Sequence, residues 1–93
     1  MSNNEMLLKK VDDLVKKNPV MIFMKGSPEA PACGFSARAC QVLRDAGAKN
    51  IGSFDLLQDD LLWGALEEYS KWPTAPQVFV NGQFVGGCDI VGE

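Results

Sequence analysis

Apolar residues in this chain follow a helical period in some stretches and run unbroken in others. Met6, Leu7, Val11, Leu14 and Val15 recur at helical spacing, with Lys9, Lys10, Asp12, Asp13, Lys16 and Lys17 between them. This predicts a first helix, capped by Asn3 or Asn4, with a solvated charged face and an end at Asn18-Pro19. Val20-Met21-Ile22-Phe23-Met24 does not alternate, as expected of a central strand covered on both faces. A loop holding Pro28 and Pro31 follows. Residues 35–44 lack Pro and Gly, and a second helix is predicted over 36–46. Ala39, Val42 and Leu43 point inward on it, Arg38, Arg44 and Asp45 outward, and Gly47 ends it. Ile51-Gly52-Ser53-Phe54-Asp55 reads as a second strand, parallel to the first because a helix joins them. A third helix is predicted over 56–69, starting near Gln58 and broken by Trp72-Pro73-Thr74-Ala75-Pro76. Gln77-Val78-Phe79-Val80 and Gln83-Phe84-Val85-Gly86 flank Asn81-Gly82, a dipeptide suited to a type I′ hairpin turn. Asp89 is placed to cap a further helix, but the sequence stops at Glu93, so a C-terminal helix is expected to be cut short.

The order α-β-α-β-α-β-β predicts an α/β fold with a four-stranded mixed sheet. A parallel βαβ half is followed by an antiparallel ββ hairpin, with helices on the faces. The 93 residues are expected to form a single domain with a modest core. A net charge of -3 argues against a nucleic-acid module, and no apolar run approaches membrane-spanning length. The first residues resemble neither a secretory signal nor an Arg-rich transit peptide. Three cysteines is an odd count. On one helix Cys33 and Cys40 would stand ~10 Å apart, too far for a disulfide. The cysteines are therefore not a stapling framework, which favours a reducing compartment.

Cys33 is the candidate for chemistry. It falls at the start of the second helix, where the helix dipole and unpaired N–H groups favour a thiolate. Lys25, from the end of the first strand, is placed to add a positive charge. A buried cysteine acting as a small hydrophobe is the alternative, and it is the reading adopted for Cys40. Trp72 is expected to pack against the loop.

Four motifs occur in order: Lys25-Gly26, Cys33-Gly34-Phe35-Ser36, Trp72-Pro73-Thr74-Ala75-Pro76-Gln77 and Gly86-Gly87-Cys88-Asp89. From about Val20 onward the chain resembles the CGFS-type monothiol glutaredoxins, which have the thioredoxin-like fold. The resemblance implies a [2Fe–2S] cluster bridged in a homodimer by one cysteine and one low-molecular-weight thiol per subunit, usually glutathione. It also implies iron–sulfur cluster donor and acceptor proteins as partners, and neither nucleic acid nor membrane. Cys33 is then the iron ligand and any catalytic nucleophile. Lys25, Ala75, Cys88 and Asp89 are then expected to contact the thiol, and Phe35, Trp63, Thr74, Pro76 and Gly87 complete that set. The Ala75-Pro76 bond is expected to be cis, turning the Ala75 backbone toward a peptide-like ligand. A [2Fe–2S] centre needs four thiolates, which two chains and two free thiols supply. Ser36 stands where dithiol relatives carry a second cysteine, so no disulfide closes across that turn. Gly34 lets a ligand approach the backbone, and Phe35 either shields the site or packs. Residues 86–89 offer free N–H groups suited to the γ-glutamyl carboxylate of glutathione.

Many members of the family place an arginine or lysine in the third helix to pair with the glycine carboxylate of glutathione. Trp63 stands there, and an indole cannot make that pair. A thiol with this carboxylate masked, such as glutathionylspermidine or trypanothione, is one expectation. The other is that Trp63 packs and glutathione binds more weakly. Two further functions compete with cluster carriage. One is a glutathione-dependent thiol–disulfide oxidoreductase removing glutathione from mixed disulfides through Cys33, at most a weak enzyme. The other is a redox sensor closing a Cys33–Cys88 bond, a pairing found in some relatives. The mitochondrial matrix is expected for a eukaryotic source, with the leader outside this sequence, and the cytoplasm for a bacterial one.

Overall fold

The computed structural model describes residues 3–32, 34–47, 50–72 and 75–86. In chain order these form α1 (Asn3–Lys17), β1 (Val20–Met24), α2 (Gly34–Asp45), β2 (Ile51–Asp55), a 3-10 turn (Leu56–Gln58), α3 (Asp60–Ser70), β3 (Gln77–Val80) and β4 (Gln83–Gly86). The four strands make one sheet in the order β2-β1-β3-β4. β2 runs parallel to β1, β3 antiparallel to β1, and β4 antiparallel to β3. This is the mixed sheet expected from the sequence. Asn81 and Gly82 both take positive φ, 50° and 83°, as a type I′ turn requires.

β1 explains its own lack of alternation. Met21 and Phe23 point into one core with Val11 and Val15 of α1, Leu62, Ala65 and Leu66 of α3, and Phe79. Ile22 and Met24 point into the other, with Ala39, Cys40 and Leu43 of α2 and Val78. Side chains of a strand alternate between faces, and here both faces are covered, so every position is apolar. Phe23 and Phe79 meet edge to face with centroids 5.7 Å apart.

Four details differ from the sequence reading. The third helix is two pieces. Asp55 accepts the Leu57 N–H and caps the 3-10 turn; Asp59, extended at φ −155°, accepts the Leu62 N–H at 3.0 Å and caps α3. Met6 is 58% exposed, whereas Leu8 packs against the first core. At ~100° per residue Met6 lies about 140° around α1 from Val11, outside the buried stripe. α1 begins at Asn3, so Asn4 lies in its first turn rather than capping it, and its amide donates to Glu68 Oε2 at 3.0 Å. Asp12, expected on the solvated face, accepts the Tyr69 hydroxyl at 2.7 Å and pairs with Lys16 at 3.1 Å, tying α1 to α3. Burial, then the Asp12 bond, push the Tyr69 phenol up to about 12, and Tyr69 and Lys16 hold the Asp12 carboxyl below its ordinary value. The expected cap at Asp89 and the C-terminal helix lie outside the described residues.

Candidate functional site

The loop after β1 is a closed ring of backbone bonds. Gly26 turns the chain at φ +87°. Lys25 C=O accepts the Ala32 N–H at 2.8 Å, and Ser27 and Ala30 exchange N–H···O bonds of 3.3 and 3.0 Å. A Cβ on Gly26 would lie 2.5 Å from Ala30 O and 2.6 Å from Ala32 N, so close approach as well as positive φ demands glycine.

Three side chains hold this loop from outside. Asp55, at the end of the parallel neighbour β2, accepts the Gly26 N–H at 2.9 Å. That bond, with one from Leu57 N–H, lowers the Asp55 pKa below the usual carboxylate value. Arg44 of α2 donates to Pro28 C=O at 3.1 Å. Ser36, fully buried in the first turn of α2, accepts the Lys25 N–H at 3.1 Å. The sequence marked Ser36 only as a missing cysteine; the structure gives it a fastening role. Asp55 carries only a weak mark in the sequence. Its signal is an aspartate at a strand end followed by apolar residues, a common cap.

Ala32 and Gly34 bracket Cys33, which lies outside the described residues together with Thr74, Gly87, Cys88 and Asp89. Gly34 begins α2 and a Cβ there would meet no atom within 4 Å. Packing among the described residues therefore does not require glycine at 34; what glycine leaves is open space at the helix start. Phe35 is 65% exposed beside it, so of its two readings packing is the one this conformation does not display.

Antiparallel pairing of Phe23 with Gln77 brings residues 75–76 to the same end of the sheet as Lys25. The Ala75–Pro76 peptide is cis, as expected; Pro76 is buried and Ala75 is half-buried against the first core. Gln77 Nε2 donates to Trp72 C=O at 2.8 Å, closing the 72–77 segment. Trp72 meets Phe84 of β4 at a tilt of 47°, centroids 5.8 Å apart. It was expected against the loop; its ring contact among the described residues is with the hairpin. Trp63 of α3 packs beside the first core, and the Lys25 ammonium lies over its ring, 5.3 Å from the centroid. The structure thus joins Lys25 and Trp63, which sequence distance kept apart. Cys40 is a buried free thiol 3.5 Å from Met24 Sδ, and burial raises its pKa, as a core residue would show.

Among the described residues no three His, Cys, Asp or Glu side chains gather. Among the described residues no helix is long and apolar enough to cross a membrane.

The glutaredoxin family profile matches residues 20–85. Monothiol glutaredoxin-S15, mitochondrial, of Arabidopsis thaliana is 49% identical over 81 residues, 87% of this chain and 47% of that protein. Glutaredoxin 4 of Escherichia coli K12 is 44% identical over 86 residues, covering 92% of this chain and 74% of that one. The chain spans about half the length of the mitochondrial relatives it matches. A buckwheat glutaredoxin solved as a complex with glutathione superposes with a TM-score of 0.81 at 31% identity, over 92% of this chain and 76% of that one. With this thioredoxin-like fold, this match and Ser36 three residues after Cys33, the chain belongs to the glutaredoxin family, among the monothiol glutaredoxins.

Proposed function

We propose that this chain carries a [2Fe–2S] cluster, with Cys33 as its iron ligand and glutathione, or a polyamine-conjugated glutathione such as trypanothione, as co-ligand. Two chains and two thiols form the cluster-bridged homodimer, and iron–sulfur donor and acceptor proteins are its partners. The observation that carries the reading is Ser36. The position that would supply a second thiol one turn into α2 is a buried hydroxyl engaged by the Lys25 N–H. One thiol per chain suits a shared centre better than an internal disulfide. The open space at Gly34 and the exposed Phe35 support close approach of a ligand there. Lys25, Trp63, Ala75 and Pro76 gather at one end of the sheet as a candidate thiol-binding surface, to which Thr74, Gly87, Cys88 and Asp89 are assigned by family resemblance. The glutathione bound to the buckwheat relative supports the choice of thiol.

The 93 residues are read as one glutaredoxin domain. The reading includes a mitochondrial matrix location for a eukaryotic source, or the cytoplasm for a bacterial one; a mitochondrial relative and a bacterial relative support it. The test is anaerobic reconstitution with iron, sulfide and glutathione. Wild type is expected to give a coloured, glutathione-dependent product, and Cys33→Ser to give none. Equal colour in the variant would remove Cys33 as the ligand.

A further inference from the structure

Lys25, half-buried, follows directly on β1 at the candidate site. Among the described residues its ammonium has no carboxylate within 4.0 Å. Asp55, the nearest acid in the loop network, spends its oxygens on the Gly26 and Leu57 N–H groups and on Gln58 Nε2. The contact that remains is the face of Trp63, 5.3 Å away at the centroid. That distance is within the range of an effective cation–π pair.

The ring is held independently of the lysine. Trp63 sits in α3 with its N–H bonded to Asp59 C=O at 3.2 Å, and its side chain packs against the first core. Its indole Nε1 is buried without a hydrogen-bond partner among the described residues. Among the described residues no hydrogen bond of its own sets the ring plane; packing does, and one face lies toward Lys25.

We propose that Trp63 is a positioning residue: its fixed indole face holds the Lys25 ammonium at the Cys33 end of the sheet, ready for a carboxylate of the bound thiol. This rests on the thiol-binding reading of the site. An ammonium has three donors. One side lies on the π face, and donors on the other remain for a carboxylate, so the two contacts are compatible. Trp63 then contributes through Lys25, and the position need not carry a cation of its own.

The test combines NMR with a mutant cycle. In wild type the Lys25 Cε protons are expected to be shifted upfield by the indole ring current. Trp63→Phe keeps part of that shift and Trp63→Leu abolishes it, while the Lys10 signals, over Phe54 at 5.4 Å, stay where they are. Titration with reduced glutathione is expected to show binding weakened about two- to fivefold by Trp63→Leu and largely restored in Trp63→Phe. In a Lys25→Met background Trp63→Leu is expected to cost nothing further. An equal loss in that background would overturn the proposal, because the ring would then touch the ligand directly. An unshifted Lys25 signal in wild type would overturn it too. If wild type binds no glutathione, the thiol-binding reading fails, and the Lys25 shift still decides whether Trp63 positions the lysine.

Discussion

Gly26→Ala is expected to damage the loop that leads to Cys33, while Gly34→Ala leaves the fold intact. At Gly26 φ is +87°, and a left-handed L-residue costs about 1–2 kcal/mol. The added Cβ would also lie 2.5 and 2.6 Å from two backbone atoms, Ala30 O and Ala32 N. Backbone cannot rotate aside as a side chain does, so the loop must open. Opening strains the Ala32 N–H···O=C Lys25 bond and the Ser27–Ala30 pair. Each such bond contributes about 0.5–1.5 kcal/mol net. With all three bonds lost the sum is about 2.5–6.5 kcal/mol, enough to lower Tm by roughly 10 °C or more in a domain this size. At Gly34 a Cβ meets nothing within 4 Å, and alanine in a helix is as stable as glycine or about 0.5–1 kcal/mol better. Urea unfolding followed by far-UV circular dichroism measures both. A Gly26→Ala midpoint equal to wild type would refute the steric argument. A Gly34→Ala loss above about 1 kcal/mol would show that this glycine serves the fold after all.

Other outcomes follow from single contacts. Ser36→Ala is expected to cost about 1–2 kcal/mol in urea unfolding, because it strips the acceptor from the Lys25 N–H in a part-buried site; an unchanged midpoint would remove Ser36 as a fastener. Tyr69, raised to about 12, lends stability that is complete below its unfolded value near 10 and is lost as pH rises from there through about 12. Stability measured across that window should fall in wild type and fall less in Tyr69→Phe; parallel curves would contradict the assignment. Asp12, held low by Tyr69 and Lys16, contributes stability above its unfolded value near 4 that disappears as pH drops through its folded value. Cys40, buried with a raised pKa, is expected to resist iodoacetamide in the native protein and to react once urea unfolds it, as peptide mass spectrometry would show. Rapid native alkylation of Cys40 would place it outside the core.

Much of the fold was legible because it rests on local signals. Val20–Met24 announces a strand buried on two faces by having no polar position, and Asn81-Gly82 announces its turn by tolerating positive φ. What stayed hidden depends on contacts distant in sequence. Asp55 reaches Gly26 across 29 residues, and Tyr69 reaches Asp12 across 57. Neither polar side chain carries a mark that says which way it points. The split of the third helix was missed because Leu56, Leu57, Leu61 and Leu62 read as one apolar run, while the two aspartates that punctuate it also suit a helix surface. At the site, the motif residues drew attention to Cys33 and Ala75-Pro76, but the Lys25–Trp63 contact required the fold. It joins a strand end to a helix 38 residues later, and only the parallel neighbour and the turn after it bring them together.

The most direct test of cluster carriage is native mass spectrometry of the anaerobically reconstituted protein. A thiol-bridged dimer is expected to give one dominant species with the mass of two chains, two glutathiones and one [2Fe–2S] cluster, collapsing to monomer when the thiol is removed. A cluster held by a single chain, or by two chains without added thiol, would contradict it.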